Sequence, residues 1–202
     1  MGHQSIDKMA GRHREFDVET ALSAATEVFW TQGYDSASME DLLTAMNINK
    51  GSMYNTFGSK RDLFLRVLDR FFKNAQHDMT AKFEAFDNPL DGVREIFRQV
   101  TRPADVKDHA KGCFLVNTLG EMCGMDEELA TLARNKLLEV ETIYLKYLRK
   151  GVKNGQIRKE ASPELMAKFL LNMWNGMSIS RRMYSRKSLE DLVEMQLQLL
   201  KP

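Results

Sequence analysis

The chain has 202 residues, 43% apolar and 28% charged, which suits a folded protein able to bury a core without disulfide staples. Its 29 Lys and Arg stand against 28 Asp and Glu, a formal charge of +1, so any nucleic-acid role must rest on a local patch. Four prolines and twelve glycines argue against a sandwich or barrel of tight turns, and the two cysteines, Cys113 and Cys123, make neither a disulfide framework nor a zinc pattern.

No stretch approaches the ~18 consecutive apolar residues of a membrane span. The N-terminus has no apolar signal region, so a cytoplasmic location is expected.

In chain order, residues 1–16 read as the least ordered part. Apolar residues then recur at three- and four-residue spacing through the chain, and no comparable stretch alternates as a half-buried strand would. The spacing predicts nine helices: 18–32, 39–46, 50–57, 60–86, 90–101, 112–123, 126–153, 163–184 and 188–200. The fold class is therefore all-α. Ser38-Met-Glu-Asp41, Ser59-Lys-Arg-Asp62 and Ser188-Leu-Glu-Asp191 each place a capping hydroxyl three residues before an acid. Ser162-Pro163 adds a cap followed by Pro at the first helical position. Gly33, Gly58 and Asn154-Gly155 are stop signals, and a turn-rich stretch runs around Pro103 to Lys111.

The short helices 39–46 and 50–57 are joined by Asn47-Ile48-Asn49. Leu42, Leu43, Met46, Ile48, Met53 and Phe57 give them a shared apolar inside, with Ala45 expected at the close crossing. Asn47 sits where the chain must turn sharply and tolerates a left-handed conformation. This is the layout of a helix-turn-helix, with helix 18–32 completing a three-helix core. The outer face of the second helix carries Lys50, Ser52, Asn55 and Thr56, which can reach base edges. Tyr54 and Lys60 can reach phosphate, and Gly51 allows close approach. The same residues would also serve as the solvated face of an all-α interaction module with no DNA role. Charge does not decide between the two, because residues 1–61 hold six basic and eight acidic side chains.

The run from Phe16 to Leu68 resembles the DNA-binding domain of the TetR family of bacterial transcriptional regulators. Ala25–Phe29 is followed by Gly33-Tyr34, then by Ser38-Met-Glu-Asp-Leu-Leu-Thr-Ala-Met46. Ile48-Asn-Lys-Gly-Ser-Met-Tyr-Asn-Thr-Phe57 comes next, then Gly58-Ser-Lys-Arg-Asp-Leu-Phe64. The resemblance implies a helix-turn-helix domain at 1–61 and a ligand-binding and dimerisation domain at 62–202. It also implies that Ser38 caps the first motif helix and touches phosphate, that Lys50, Gly51, Ser52, Asn55 and Thr56 face bases, and that Tyr54 and Lys60 hold the backbone. The sequence departs from the family pattern at Asn47, Met39 and Thr56, where Gly, Thr and an aromatic or His are usual. Arg12 and Arg14 form a basic arm that either enters the minor groove or is merely solvated.

Beyond residue 61 there is no catalytic constellation, phosphate loop or metal-ligand spacing. His77 and His109 read as solvated surface, and no cofactor is expected. By resemblance this half binds a small-molecule inducer. Its methionines and Trp174 suit an irregular apolar ligand. The candidate pocket residues are Phe97, Cys113, Phe114, Asn117, Met122, Tyr144, Met173, Trp174 and Met177, each of which could equally be plain core.

Cys113 opens helix 112–123, with Lys107, His109 and Lys111 just upstream. It is either a small buried residue or a thiol sensor of oxidants or electrophiles. Helices 163–184 and 188–200 are expected to pair two subunits, through Met166, Phe169, Leu170, Met173 and Met177 on one and Leu189, Leu192, Val193, Leu197 and Leu200 on the other. A two-fold dimer would set the recognition helices about one DNA turn (~34 Å) apart, matching a palindromic operator. The basic run from Lys146 to Lys159 reads as a solvated helix end. The function expected is a ligand-responsive DNA-binding regulator of the repressor type, with thiol sensing or a plain interaction module as rivals.

Overall fold

Most helix starts in this chain are set by side chains that satisfy free N–H groups of the first turn, the helix with Cys113 at its cap being an exception. Asp17 opens α1 (Val18–Gln32) and Ser38 opens α2 (Met39–Met46). Asn49 opens α3 (Lys50–Phe57) and Ser59 opens α4 (Lys60–Glu84). At Ser38 and Ser59 the box closes reciprocally with Asp in place of the usual Glu, because Asp41 and Asp62 each accept the cap residue's own N–H. The remaining helices are α5 (Pro89–Thr101), α6 (Phe114–Met122), α7 (Glu127–Lys153), α8 (Pro163–Ser180) and α9 (Arg186–Leu197), the last running into a 3₁₀ turn, Gln198–Leu200.

The computed structural model describes residues 16–102, 110–160 and 162–202. Arg12, Arg14, Lys107, His109 and the turn from Pro103 lie outside the described residues. Among those described there is no strand, and the all-α expectation holds. Two expected boundaries move. Helix α8 stops at Ser180, and α9 starts at Arg186 with Ser185 as its cap, not Ser188. Ser188 is the third helical residue and donates its N–H to Ser185 Oγ. Two serines three apart can each cap, and the upstream one does so although only Ser188 has an acid three residues on.

Helix α4 is the spine: it packs against α1 and α3 on the N-terminal side and against α5 and α7 on the other. Helices α6, α7 and α8 form a consecutive stack, and α9 lies on α5. One aromatic cluster crosses from head to body, in which Phe64 meets Phe29 and Tyr34 in the head and Phe114 in the body. The core therefore continues between the two parts.

Candidate nucleic-acid interface and ligand cavity

Helices α2 and α3 form the expected pair. Leu42, Met46, Met53 and Phe57 are buried between them and their neighbours, with Leu43 and Ile48 packed alongside. Asn47 takes the left-handed conformation (φ 52°, ψ 44°), and its N–H returns to the carbonyls of Leu43 and Thr44. Ala45, expected at the crossing, is instead exposed, and Ala37 is the fully buried small residue before α2. The periodicity placed Ala45 one position off the buried stripe that Leu42 and Met46 define.

On the outer side of α3, Lys50, Gly51, Tyr54 and Asn55 are exposed, and Ser52 and Thr56 are half-buried. Asn49 caps this helix with Oδ1 accepting the Ser52 N–H at 2.8 Å. An added Cβ at Gly51 would meet only that cap oxygen, at 3.3 Å, and its φ is not positive. The fold itself therefore has little need for glycine there. Ser38 is exposed, but its hydroxyl is committed to Asp41, donating to Oδ2 at 2.6 Å. Lys60 donates to the Asp35 carbonyl at 3.2 Å and lies 4.8 Å over the Tyr34 ring. The surplus acids of this half are drawn off elsewhere. Glu19 pairs with Arg70 and Glu27 with Lys111, while Asp17 caps α1 and Asp41 closes the capping box with Ser38. Lys50 has no carboxylate partner among the described residues.

Besides the Glu19–Arg70 pair, three further polar contacts among the described residues strap the head to the body. The Glu121 carboxylate, near the end of α6, accepts the N–H groups of Tyr34 (3.0 Å) and Asp35 (2.9 Å). Gly33 carries φ +87°, and a Cβ there would come within 2.8 Å of the same carboxylate, so both conformation and space require glycine. Arg61 reaches Asp126 and Glu128 at the start of α7, and its hydrogen bond holds the Asp126 carboxyl below the usual carboxylate range. Lys111 pairs with Glu27 at 2.6 Å and sits over the Trp30 ring. Of the cations expected to surround Cys113, Lys111 is thus already matched by an acid.

A cavity of about 500 Å³ lies between the helices of the body and Trp30 of α1. Its wall includes Trp30, Phe71, Met79, Val100, Leu115, Leu137, Val140 and Trp174, with Cys113 and Tyr144 among its few polar groups. Asp78, Gln99, Arg102 and Arg181 complete the polar part. Of the expected pocket residues, Cys113, Tyr144 and Trp174 are therefore on one wall. Phe114 and Asn117 instead line a second, more open depression between α1 and α6, where Asn117 Nδ2 is tied to the Lys111 carbonyl at 2.6 Å. Phe97, Met122, Met173 and Met177 are buried in the core away from either wall. Tyr144 is fully buried, and burial, with Cys113 adding to it, pushes its phenol well above the usual range. Cys113 is the N-cap of α6 and is also buried.

Residues 21–67 match the family described as bacterial regulatory proteins, tetR family, and residues 89–196 match a tetracyclin repressor-like C-terminal domain. The chain belongs to the TetR family. It is 30% identical over 150 residues to the HTH-type transcriptional regulator YezE of Bacillus subtilis (strain 168), a match covering 74% of this chain and 77% of that protein. The HTH-type transcriptional repressor ComR of Escherichia coli (strain K12) is 27% identical over 192 residues, 95% and 90% of the two chains. A solved cysteine mutant of the TetR family regulator CifR, complexed with 26-bp operator DNA, superposes with a TM-score of 0.82 at 27% identity, over 94% of this chain and all of that one.

This TetR-family chain is accordingly a DNA-binding transcriptional regulator, a non-enzymatic class. Its departures are accommodated locally: Asn47 holds the turn that Gly would, and Met39 packs against the core where a shorter residue is usual. Three features have no signal at sequence level. Asn49 as a cap hides inside the turn, while Glu121 and Trp30 act across more than eighty residues of chain. Among the described residues no helix is long and apolar enough to cross a membrane.

Proposed function

We propose that this regulator is a homodimeric repressor, working in the cytoplasm, that grips a palindromic operator and is released by a small molecule bound in the 500 Å³ cavity. Residues 1–61 serve as the reading head and 62–202 as the sensing and pairing body. In the head, Lys50, Gly51, Ser52, Asn55 and Thr56 face the bases, and Ser38, Tyr54 and Lys60 hold phosphates.

One observation supports the coupling most strongly: α6 begins at the cavity and ends at the head. Its cap, Cys113, is on the cavity wall, and Glu121 near its other end holds the loop before α2. Nine residues of helix span about 13 Å as a stiff rod. A ligand that pushes one end therefore alters the grip at the other. It shifts operator occupancy only by its difference in affinity between the two arrangements.

Of the residues expected to pair subunits, Phe169 and Leu192 are half-buried, and a second, outer stripe adds support. Met166, Leu170, Met173 and Met177 of α8, and Leu189, Val193 and Leu197 of α9, are consumed inside the protomer's own core. Leu165 and Ile179 on α8, and Met195 and Leu199 at α9 and its 3₁₀ turn, are more than half exposed. Gly176 lies on the outer stripe of α8 with nothing within 4 Å of where a Cβ would be. A mid-helix Gly costs about 1 kcal/mol against Ala, and close approach of a second helix is what would offset it.

Selection of binding sites from random DNA tests the whole reading. Two half-sites about ten base pairs apart are expected, and a single unpaired site would overturn the dimer. A second reading is favoured by Cys113 lying on the cavity wall as a free thiol: modification there would act as the releasing event. Alkylation of Cys113 no faster than free cysteine, or without effect on operator binding, would remove it.

A further inference from the structure

Among the described residues, the cavity's charged wall groups each have a partner within the protein. Asp78 is held by Lys82 and receives Gln99 Nε2 at 2.7 Å. Arg102 is paired with Glu190 at 2.5 Å, and Arg181 is also engaged. An ionised ligand would lose its water and find no uncommitted counter-charge among the described wall residues, a cost of several kcal/mol for an unpaired ion.

Tyr144 is different. It is fully buried on the cavity wall, and its hydroxyl has no hydrogen-bond partner among the described residues. Trp30, whose Nε1 is buried without a partner, lines the same space. Both are donors, and the buried Trp30 Nε1 left unmatched is costly. The rest of the described wall is mostly aromatic and aliphatic, with Phe71 and Trp174 offering flat faces and Leu137 and Val140 branched aliphatic ones.

We infer that the cavity takes an uncharged, largely apolar ring compound carrying a hydrogen-bond acceptor of the carbonyl type, which receives the Tyr144 hydroxyl. This rests on the reading that the cavity is the regulatory ligand site, and it names the class of ligand. The raised proton affinity of the buried phenol agrees, because the group then stays a donor at neutral pH.

The test uses the full chain and matched probes of one, two and three rings. The ketones are acetophenone, acetylnaphthalene and fluorenone. The hydrocarbons are ethylbenzene, ethylnaphthalene and fluorene, and the third series is the corresponding carboxylates. Binding is read from quenching of tryptophan emission, since Trp30 and Trp174 are both on the wall. The best ketone should bind about three- to tenfold tighter than its hydrocarbon, and its carboxylate should bind weakest. Tyr144→Phe should erase the ketone preference while leaving hydrocarbon affinity unchanged. That variant should fold normally, because the hydroxyl makes no bond within the described protein.

Equal affinity for ketone and hydrocarbon, a preference that survives Tyr144→Phe, tightest binding by carboxylates, or no ketone binding at all would each overturn the inference. The two readings separate cleanly. A Tyr144-dependent ketone preference with no change in operator binding upholds the ligand class and sinks the regulatory reading. Operator release by carboxylates alone does the reverse.

Discussion

Replacing Glu121 by Ala removes the clamp between α6 and the loop that leads into α2. The carboxylate receives two backbone N–H groups, Tyr34 at 3.0 Å and Asp35 at 2.9 Å. Hydrogen bonds to a charged group are each worth about 1.5–3 kcal/mol, and this carboxylate is half-exposed, so about 1 kcal/mol apiece is a fair discount. The pair then contributes about 2 kcal/mol, or about 30-fold in the local opening equilibrium. Amide hydrogen exchange at Tyr34 and Asp35 is the direct assay. Both amides should exchange about 30-fold faster in Glu121→Ala, and Glu121→Gln, with one acceptor oxygen left, should fall between. Arg61→Ala is the control: it cuts the separate strap to Asp126 and Glu128 and should leave these two amides protected. Exchange within threefold of the parent in Glu121→Ala would mean that the loop is held by something other than this carboxylate, and the proposed path from cavity to head would fail with it.

Lys60→Ala should weaken operator binding for all sequences and lower the salt slope by about one, whereas Asn55→Ala should also relax sequence preference; unchanged affinity in both, measured by titration over a salt series, would refute the docking face. Gly51→Ala should leave the melting temperature within a few degrees, since helix propensity and pressure on the Asn49 cap oppose each other, yet operator affinity should drop at least tenfold because a methyl then meets DNA. Gly176→Arg should fold, having open space at that position, but should run as a monomer in light scattering and lose operator affinity; a dimer of unchanged affinity would exclude α8 from the interface. Hydrogen bonds from Arg102 and then Arg186 hold the Glu190 carboxyl down at about 2, from an ordinary 4.5. A depressed carboxylate stabilises the fold above its unfolded value and loses that effect as pH falls from about 4.5 toward 2. The melting temperatures of the parent and Glu190→Gln should therefore converge over that window, and a gap independent of pH would show that the charge plays no part.

The elements were legible in the sequence wherever the information is local. Capping pairs such as Ser38 with Asp41 and Ser59 with Asp62 act within one turn, and Asn47 marks a left-handed residue by its own chemistry. The same locality explains the errors. Ser188 carries the fuller capping signal, with Asp191 three residues on, yet Ser185 is the cap and α9 packs on α5 from that start. Helices α8 and α9 carry two apolar stripes each, and a periodicity argument finds the denser one, which is the protomer's own core. The sparser stripe of Leu165, Ile179, Met195 and Leu199 is visible only once that core has been accounted for.

The cavity shows the limit most clearly. Tyr144 and Cys113 are thirty-one positions apart and Trp30 lies in the head, so no spacing rule joins them. What unites them is one cavity wall, where a hydroxyl and an unpartnered indole N–H stand with a thiol, and that wall is a property of the fold. The near-neutral charge follows the same logic. Glu19 and Glu27 are matched by Arg70 and Lys111, while Lys50 keeps its charge for the outer face of α3, so a chain with no net basic field still has a cation to place on DNA.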